Sequence, residues 1–579
     1  MNLQALKFDR ASALSLGRGL APNVYDCVIF ILVVAAFVLV THAAREMGQP
    51  LAGLELKPVT LDPRNLPEYA LRTTLRMFAA IIASLIFTFV VATLAAKSRK
   101  AELVIVPALD ILQSVPVLGF LTFTVLFFMG LFPGRQLGAE CASIFAIFTA
   151  QVWNMTFSFY QSLRTVPHDL DEVCSHFQLS PWLRFWRLEV PFAAPGLIWN
   201  TMMSMSGGWF FVVASEAITV GNTTVNLPGI GSWLAIAIEQ KNIAAVAEAV
   251  AMMGLVILAY DQLVFRPIVA WADKFRAEQT AAQQRPRSWV YDIVRRSQMI
   301  KRIFAPLGRL VAQRPRRPGT RTWRWRPSPA MHRAADVAWI AIVAAAALYG
   351  VWVVAAYVHT TVDLADVVTA LEYGGLTLLR VAVLIALASV IWVPIGVWIG
   401  LRPWATQLGQ PIIQFLAAFP ANVLFPIAVV AIVTLHLDPN IWLSPLMVLG
   451  TQWYILFNVI AGTSAFPTDL RDVATNYGLR SFQWWRAVIL PGIFPYYITG
   501  ALTATGGSWN ASIVAEVASW GDTHLRAAGL GAYIADATAA GQSQRVVLGI
   551  VVMAVFVVTF NRLVWRPLYG LAERRFRLD

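Results

Sequence analysis

The sequence predicts an all-α polytopic membrane protein built from two repeated halves. Hydrophobic residues make up 58% of the 579 positions and charged residues only 13%, about half of the roughly 25% found in soluble proteins. Apolar runs such as 28–40, 78–94 and 546–560 form the cores of segments with the ~20 residues that cross a bilayer as a helix. The chain also repeats itself at an offset of 300 residues. A large repeat in a hydrophobic chain predicts a pseudo-twofold membrane protein with its pathway between the halves.

Polar and aromatic landmarks carry the repeat. The segment 167–173 (PHDLDEV) returns as 467–473 (PTDLRDV), and Arg266-Pro267 returns as Arg566-Pro567. Four single residues also match, namely Trp153, Pro191, Trp209 and Glu216 with Trp453, Pro491, Trp509 and Glu516. The offset becomes 304 in the second and third spans, so the halves differ by a small insertion or deletion.

We predict six spans per half, about 12 transmembrane helices in all. The first six fall near 26–44, 70–95, 103–132, 140–163, 192–218 and 243–265, and the second six near 336–358, 371–400, 408–436, 441–463, 492–517 and 545–565. Three domains follow: a first membrane domain over 1–265, a basic linker over 266–335 and a second membrane domain over 336–579. The third span of each half is broken by proline, at Pro107 and Pro116 and at Pro411 and Pro420, which a membrane tolerates where helices pack or line a cavity.

The linker explains the net charge of +13. Residues 266–335 hold 17 Arg and Lys against three acids, so this segment accounts for the whole excess, and we expect no nucleic-acid partner. Positive segments beside spans stay in the cytoplasm, which places both termini there. The stretch 289–307 alternates apolar and basic residues, as in helices that lie on anionic inner-leaflet lipids. A simple tether and a lipid-sensing element both remain open. Three cysteines and seven histidines are scattered, and we expect no metal site.

A charged loop lies between the fourth and fifth spans of each half. The second copy contains Asp472, Val473, Ala474 and Gly478 and leads to Pro491. The glycine supplies the positive φ that a sharp turn after a short helix needs. The equivalent positions of the first copy are Asp171 and Glu172, Val173, Cys174, Gln178 and Pro191.

These loops resemble the EAA loop of ABC importer permeases. In that family the loop forms a coupling helix that docks into a cytoplasmic ATPase. The first copy departs from the pattern, since Gln178 replaces the glycine and Cys174 replaces an alanine. The two copies are therefore expected to grip their ATPases differently.

Further landmarks narrow the resemblance. They are TTLR at 73–76 against TLLR at 377–380, GGW at 207–209 against GSW at 507–509, and PGIG at 228–231 against AGLG at 528–531. This order resembles the nitrate, sulfonate and taurine class of permeases, which includes bicarbonate carriers. It covers spans two to six of each half and implies two type I ABC importer transmembrane domains fused in tandem in a bacterial inner membrane. The implied partners are two cytoplasmic ABC ATPases and a periplasmic substrate-binding protein.

We expect no enzymatic activity and no cofactor in this chain. A phosphate-binding loop needs Gly-Lys followed by Ser or Thr, and no Gly-Lys pair occurs in the sequence. The resemblance implies that ATP and Mg are bound by the partner ATPases.

Ionisable groups inside spans are functional candidates. Arg76, Arg380, Glu216 and Glu516 are expected at similar depth near the outer ends of spans two and five, where an arginine either contacts the anion or pairs with glutamate. Glycine runs interrupt span five and act as hinges or packing sites, and the following tryptophans act as plugs or interfacial anchors. These candidates are Gly207, Gly208, Gly506, Gly507, Trp209 and Trp509, and Pro116 and Pro420 complete the set.

Two other functions remain open on the sequence. An ion-gradient-driven secondary transporter with parallel repeats would also be duplicated, but it requires acids at mid-membrane and leaves the loops unexplained. An ABC importer for a non-anionic solute would share every motif. A non-transporting membrane scaffold is the weakest alternative.

Overall fold

The computed structural model describes six stretches of the chain and five single positions. The stretches are residues 58–113, 117–220, 223–275, 288–297, 329–464 and 468–575, and the single positions lie between 26 and 41. Pro116, most of the first predicted span and most of the linker lie outside the described residues.

The described part of the first half and the linker is helical apart from one β-hairpin. The helices are α1 Leu66–Lys97, α2 Arg99–Leu112, α3 Val117–Leu131, α4 Gln136–Arg164, α5 His168–His176, α6 Pro181–Arg184, α7 Val190–Glu216, α8 Ile230–Glu239, α9 Ile243–Tyr260, α10 Arg266–Ala272 and α11 Trp289–Arg296. The hairpin pairs β1 Ala217–Val220 with β2 Thr223–Asn226.

The second half repeats this order. Its helices are α12 Pro329–His359, α13 Leu364–Gly400, α14 Pro403–Ala418, α15 Phe425–Thr434, α16 Pro439–Trp442, α17 Ser444–Leu449, α18 Gln452–Ser464, α19 Thr468–Asn476, α20 Ser481–Trp484, α21 Leu490–Ala515, α22 Leu530–Ala539, α23 Ser543–Phe560 and α24 Arg566–Arg575. Its hairpin pairs β3 Val517–Trp520 with β4 Thr523–Arg526.

The predicted all-α polytopic architecture is confirmed. Among the described residues, six helices are long and apolar enough to span a membrane, and there are seven if the pair Pro439–Leu449 and Gln452–Ser464, bent by 41°, is one span. Several of the predicted spans are built from broken helices, so the count of twelve stays a prediction. The two small antiparallel hairpins lie in segments that we predicted as loops.

The third span of the second half is broken at Pro420, but Pro107 and Pro411 lie inside α2 and α14 without ending those helices, which corrects the sequence prediction for these two prolines. In the second half α14 ends before Phe419, whose extended backbone is the conformation that a following proline favours. Pro420 then precedes a short 3₁₀ turn, Ala421–Leu424. In the first half α2 ends at Leu112 and α3 begins at Val117, and Pro116 lies outside the described residues.

Four π-helical turns occur at equivalent places in the two halves. Phe185–Glu189 and Trp485–Ile489 lead into α7 and α21, and Asp261–Phe265 and Asn561–Trp565 lead into α10 and α24. Each turn is followed by a proline two residues later, at Pro191, Pro491, Pro267 and Pro567. Proline clashes with the carbonyl four residues before it, and here that carbonyl always lies within the wider π turn. The hydrophobic-Pro and Arg-Pro motifs therefore mark these turns.

The chain divides into two compact units. The first consists of Met1–Glu46, Thr165–Ile198 and Tyr260–Trp325, and the second contains the rest. In the first unit α11 packs on α10. In the second unit α1 packs along α4, and α13 and α21 pack against α18.

Candidate functional site

A buried ion cluster surrounds Arg76 in the first half. Nε and Nη2 of Arg76 donate to the two carboxylate oxygens of Glu140 at 2.5 and 2.6 Å. Nη1 donates to Oε1 of Glu216 at 2.7 Å and to the carbonyl of Pro228 at 3.0 Å. All three charged side chains are at most 1% exposed. Both edges of the guanidinium are therefore engaged, one of them by a bidentate carboxylate.

The second half builds a simpler cluster around Arg380. Nη1 donates to Oε1 of Glu516 at 3.1 Å and to the carbonyl of Ala528 at 2.8 Å. Among the described residues, no carboxylate other than Glu516 lies within 4.0 Å of this guanidinium. The Arg380 side chain is 14% exposed, whereas that of Arg76 is fully buried.

Each glutamate also binds the loop after its hairpin. The Thr73 hydroxyl and the Gly231 amide donate to the Glu216 carboxylate, both at 2.7 Å. Thr377 and the Ala532 amide do the same for Glu516, at 2.9 and 3.1 Å. The glycines of these loops are required by space, since a Cβ on Gly229 or Gly529 would lie 2.2 or 2.3 Å from the carboxylate.

The geometry is that of the Arg–Glu pair, one of the two alternatives for these residues. Sequence reasoning missed Glu140, although a glutamate at the start of a span is itself a signal. It was overlooked because it has no glutamate counterpart in the second half, where Asn440 lies at the 300-residue offset.

The glycines of span five do not interrupt it, which corrects the sequence prediction. Helices α7 and α21 run unbroken through Gly207, Gly208, Gly506 and Gly507. A Cβ on Gly208 would lie 2.6 Å from Nε2 of Gln151, and one on Gly507 would lie 2.6 Å from Cγ2 of Thr451. Close helix approach, rather than a bend, is therefore the reason for these two glycines.

Trp209 and Trp509 are neither plugs nor interfacial anchors. They are 0% and 1% exposed, and Trp509 stacks on Phe556 with ring centroids 6.5 Å apart. Both rings are core residues, because fully buried aromatic surface belongs to helix packing rather than to an aqueous path or a headgroup layer.

A cavity of ≈ 200 Å³ lies between the two halves, inside the second compact unit. Gly207, Gly506 and Gly507 line this cavity. A Cβ added to Gly506 would meet no neighbouring atom within 4 Å. None of the described lining residues is charged. The polar ones are Gln113, Thr149, Asn154, Thr451, Tyr454, Thr503, Thr505, Asn510 and Asn561.

The two charged loops each fold into a short helix with the same C-terminal turn. After α5, the amides of Gln178 and Leu179 donate to the carbonyls of Ser175 and Cys174, both at 3.0 Å. After α19, Gly478 and Leu479 repeat both bonds, also at 3.0 Å. This is the Schellman pattern. Gln178 has φ +48° and Gly478 has φ +63°, so glutamine adopts the conformation that glycine adopts more easily.

The acids and small residues of these loops lie on opposite faces. Glu172 and Asp472 are exposed, whereas Cys174 and Ala474 are buried. Each helix also exposes an apolar stripe at positions i, i+3 and i+7. The stripes are Leu170, Val173 and Phe177 in the first half and Leu470, Val473 and Tyr477 in the second.

Among the described side chains, an ion-pair network supports the first short helix. Nη1 of Arg184 lies 2.5 Å from Oδ1 of Asp171, and its Nε lies 3.2 Å from Oε1 of the buried Glu189. Arg471, Trp484 and Ile489 stand at the 300-residue offset and cannot form this network. The two copies therefore differ in the residues available for ion pairs with the short helix, as well as in the residue at its C-terminal turn.

Comparison with known proteins agrees with this architecture. The family described as "Binding-protein-dependent transport system inner membrane component" matches residues 85–266 and again 392–577. "Nitrate import permease protein NrtB" of Leptolyngbya laminosa is 29% identical over 188 residues, 32% of this chain and 64% of that protein.

Two further relatives are similar over shorter or equal lengths. "Bicarbonate transport system permease protein CmpB" of Synechococcus elongatus is 28% identical over 32% of this chain and 64% of its own. "Putative aliphatic sulfonates transport permease protein SsuC" of Escherichia coli K12 is 32% identical over 21% of this chain and 44% of its own. The matched region thus spans slightly less than two thirds of the cyanobacterial relatives. The tandem matches cover well over half of the chain, which therefore belongs to the family of binding-protein-dependent transport inner membrane components and carries its domain twice.

Proposed function

We propose that this chain is the transmembrane permease subunit of a bacterial ATP-binding cassette importer for a small anion. Nitrate, bicarbonate, sulfonates and taurine are the candidate substrates. The names of the relatives, which refer to nitrate, bicarbonate and aliphatic sulfonates, support an anionic substrate. A periplasmic binding protein delivers the anion, and two cytoplasmic ATPases, which bind the ATP and Mg, drive its passage.

The pair of short helices is the observation that carries this proposal. Each exposes three apolar side chains on one face next to an acid, and Phe177 and Tyr477 are 71% and 81% exposed. A short helix with such a face needs a hydrophobic partner, and the ATPases supply it. The capped turns make each helix a rigid lever. We assign Pro191 and Pro491 a role in keeping the start of span five rigid, at the N-termini of α7 and α21 that follow these short helices.

The neutral cavity suits an anion in transit. Amide and hydroxyl groups can donate hydrogen bonds to an anion in this cavity without a full positive charge. The binding protein then determines which anion is transported. Pro420 and the outer Arg–Glu clusters shape and close the path to this cavity, and Pro116 has the matching role in the first half.

The expected orientation follows from the basic segments. Both termini and the linker face the cytoplasm, and the hairpins face the periplasm with the binding protein. The linker helix α11 exposes Trp289, Arg295 and Arg296, which fits contact with anionic inner-leaflet lipids.

Reconstitution of the chain with its ATPases tests the proposal. Val473→Glu combined with Tyr477→Glu should abolish ATPase association and anion uptake, because two charges are placed on the docking face. Leu364→Glu is a control, since Leu364 is 79% exposed and lies outside both short helices and outside the predicted spans. Uptake driven by an ion gradient without ATP would contradict the proposal and favour a secondary transporter. ATP-driven uptake of a neutral solute alone would retain the class and reject the anion.

A further inference from the structure

We propose that Arg380 is an anion-binding residue, and that its unengaged edge binds a small planar oxyanion such as nitrate, bicarbonate or a carboxylate. The inference rests on the proposed function for the identity of its ligand. Its physical basis is a comparison between the two halves of the same chain.

The first half contains an internal template for such a complex. The carboxylate of Glu140 lies on the Nε–Nη2 edge of Arg76, with nitrogen–oxygen distances of 2.5 and 2.6 Å. This fork-to-fork arrangement is the geometry in which guanidinium recognises planar anions with two oxygen atoms on one side.

The second half retains the arginine and lacks the carboxylate. Both hydrogen bonds described for Arg380 use Nη1, so Nε and Nη2 have no protein acceptor among the described residues. Guanidinium donors at a largely buried site require an acceptor. The Arg380 side chain keeps 14% of its surface uncovered by protein, whereas Arg76 keeps none.

Asn440 shows why no protein group fills the place of Glu140. Its Oδ1 accepts a hydrogen bond from the Ala528 amide at 2.9 Å, and its Nδ2 donates to Asp438 at 3.2 Å. The carbonyl of the same Ala528 binds Nη1 of Arg380. Asn440 therefore shares the Ala528 backbone with the arginine, is neutral, and directs its amide to Ala528 and Asp438.

Charge follows the same pattern. Arg76, Glu140 and Glu216 together carry a formal charge of −1 when all three are ionised, and the neighbouring Arg72, which pairs with Glu68, also interacts with Glu140. The second cluster holds one arginine and one glutamate and is neutral. An oxyanion on Arg380 would give the second cluster the composition that the first already has.

The test measures the thermal unfolding of the full chain in lipid nanodiscs against anion concentration. Chloride replaces the anion to hold ionic strength constant. Nitrate and formate should raise the unfolding temperature in a saturable manner, and methanesulfonate should do so much less. A wild-type response equal to that in chloride would overturn the inference, and an equal response to methanesulfonate would overturn the planar class.

Three variants locate the site. Arg380→Lys keeps a positive charge opposite Glu516 but has no fork, and should lose the nitrate response. Asn440→Glu should raise the unfolding temperature without anion and abolish any further rise, because it supplies the missing carboxylate. Asn440→Gln is the matched control and should respond as the wild type does. A normal nitrate response in both Arg380→Lys and Asn440→Glu would place the anion elsewhere.

The outcome is separable from that of the proposed function. A wild-type chain without a nitrate response, in an assembly that still imports an anion, would overturn only the assignment of Arg380. An assembly that imports no anion, with a chain that shows the Arg380-dependent response, would overturn only the proposed function.

Discussion

Arg76 and Arg380 occupy equivalent positions in the two halves but experience different surroundings. Arg76 is fully buried between Glu140 and Glu216, whereas Arg380 pairs with one carboxylate, Glu516, among the described residues and is partly exposed. Removal of Arg76 leaves two buried carboxylates without their cation and removal of Arg380 leaves one, and each remaining charge keeps its desolvation penalty.

Arg76→Gln should therefore destabilise the protein much more than Arg380→Gln. We expect a loss of about 3–5 kcal/mol for the first and about 1–3 kcal/mol for the second, measured as the yield and thermal stability of the folded chain. The double variant Arg76→Gln, Glu140→Gln should recover part of the loss, since it removes one of the stranded carboxylates. Equal losses of stability in Arg76→Gln and Arg380→Gln would show that Glu140 contributes nothing to the difference between the two sites.

The turn residues of the two short helices give a second contrast at this scale. Gln178 and Gly478 both have positive φ, which costs a residue with a side chain about 1–2 kcal/mol. Gly478→Gln should lower stability by about 1 kcal/mol and impair ATPase stimulation. Gln178→Ala should change little, because the first turn already bears that cost. Gln178→Gly should stabilise by less than about 1 kcal/mol, since glycine also gains entropy in the unfolded chain.

Gly375→Ala is a suitable control for these turn variants. Gly375 lies within α13, and a Cβ added to it would meet no neighbouring atom within 4 Å. Alanine there should be neutral or slightly stabilising. If changes at Gln178 and Gly478 alter ATPase stimulation equally, the two helices do not couple differently.

At the scale of elements, α7 and α21 bring their glycines to the cavity and to the neighbouring helices at once. Gly507 faces Thr451 across a contact too close for a Cβ, whereas Gly506 opens into space. A side chain larger than hydrogen therefore fits at Gly506 but not at Gly507. Substitution of each glycine can distinguish a packing role from a hinge role.

Gly507→Ala should destabilise the chain, whereas Gly506→Ala should not. Overpacking against Thr451 costs about 1–3 kcal/mol, and alanine in an open helix position gains about 0.5–1 kcal/mol over glycine. Thermal unfolding measures both, and anion uptake is measured on the same samples. A stable Gly506→Ala variant with greatly reduced uptake would favour a hinge or a narrowed path over a pure packing role.

On the scale of the whole molecule, the halves meet at the hairpin end through charge and backbone. Nζ of Lys241 lies 2.9 Å from Oδ2 of Asp522, and the Gly521 amide donates to the Ile238 carbonyl at 3.1 Å. Lys241 itself has φ +54° where Gly541 stands in the second half. This turn with positive φ thus places Lys241 within reach of the β3–β4 hairpin of the second half.

This contact should depend on pH and on salt. Hydrogen bonding and charge attraction from Lys241 lower the pKa of Asp522 below its usual value. A lowered carboxyl pKa contributes stability above the unfolded value of about 3.9 that is lost as pH falls through the folded pKa. Asp522→Asn should therefore lower stability slightly at pH 5–7, and the difference from the wild type should shrink as pH falls below the ordinary carboxyl pKa of about 3.9 or in 1 M salt.

Thermal scans of both proteins across this pH range measure the effect. Asp438→Asn serves as control, because Asp438 is an exposed carboxylate near the same end with no basic group within 4.0 Å among the described residues. An unchanged difference at pH 3 would mean that the Asp522 carboxylate does not carry the contact.

Periodicity and repetition in the sequence determined most of the architecture. Apolar runs predict spans because a bilayer demands internally bonded helices. Pro420 predicts the broken third span of the second half because proline acts on its own neighbours. The charged loops predict the two short helices because glycine, or a residue forced to mimic it, ends a helix locally. All these signals lie within a few residues of what they determine.

Only the tertiary structure decided which distant residues meet. Glu140 reaches Arg76 from 64 positions away, and Gly208 and Gly507 are required by side chains of other helices. The sequence suggested hinges and plugs because a glycine or tryptophan has the same local appearance in a core and in a pathway. Burial and close approach depend on three-dimensional packing, which a linear pattern does not contain. The duplication was therefore legible from the chain itself, but the unequal charge of its two arginine clusters emerged only when the helices were brought together.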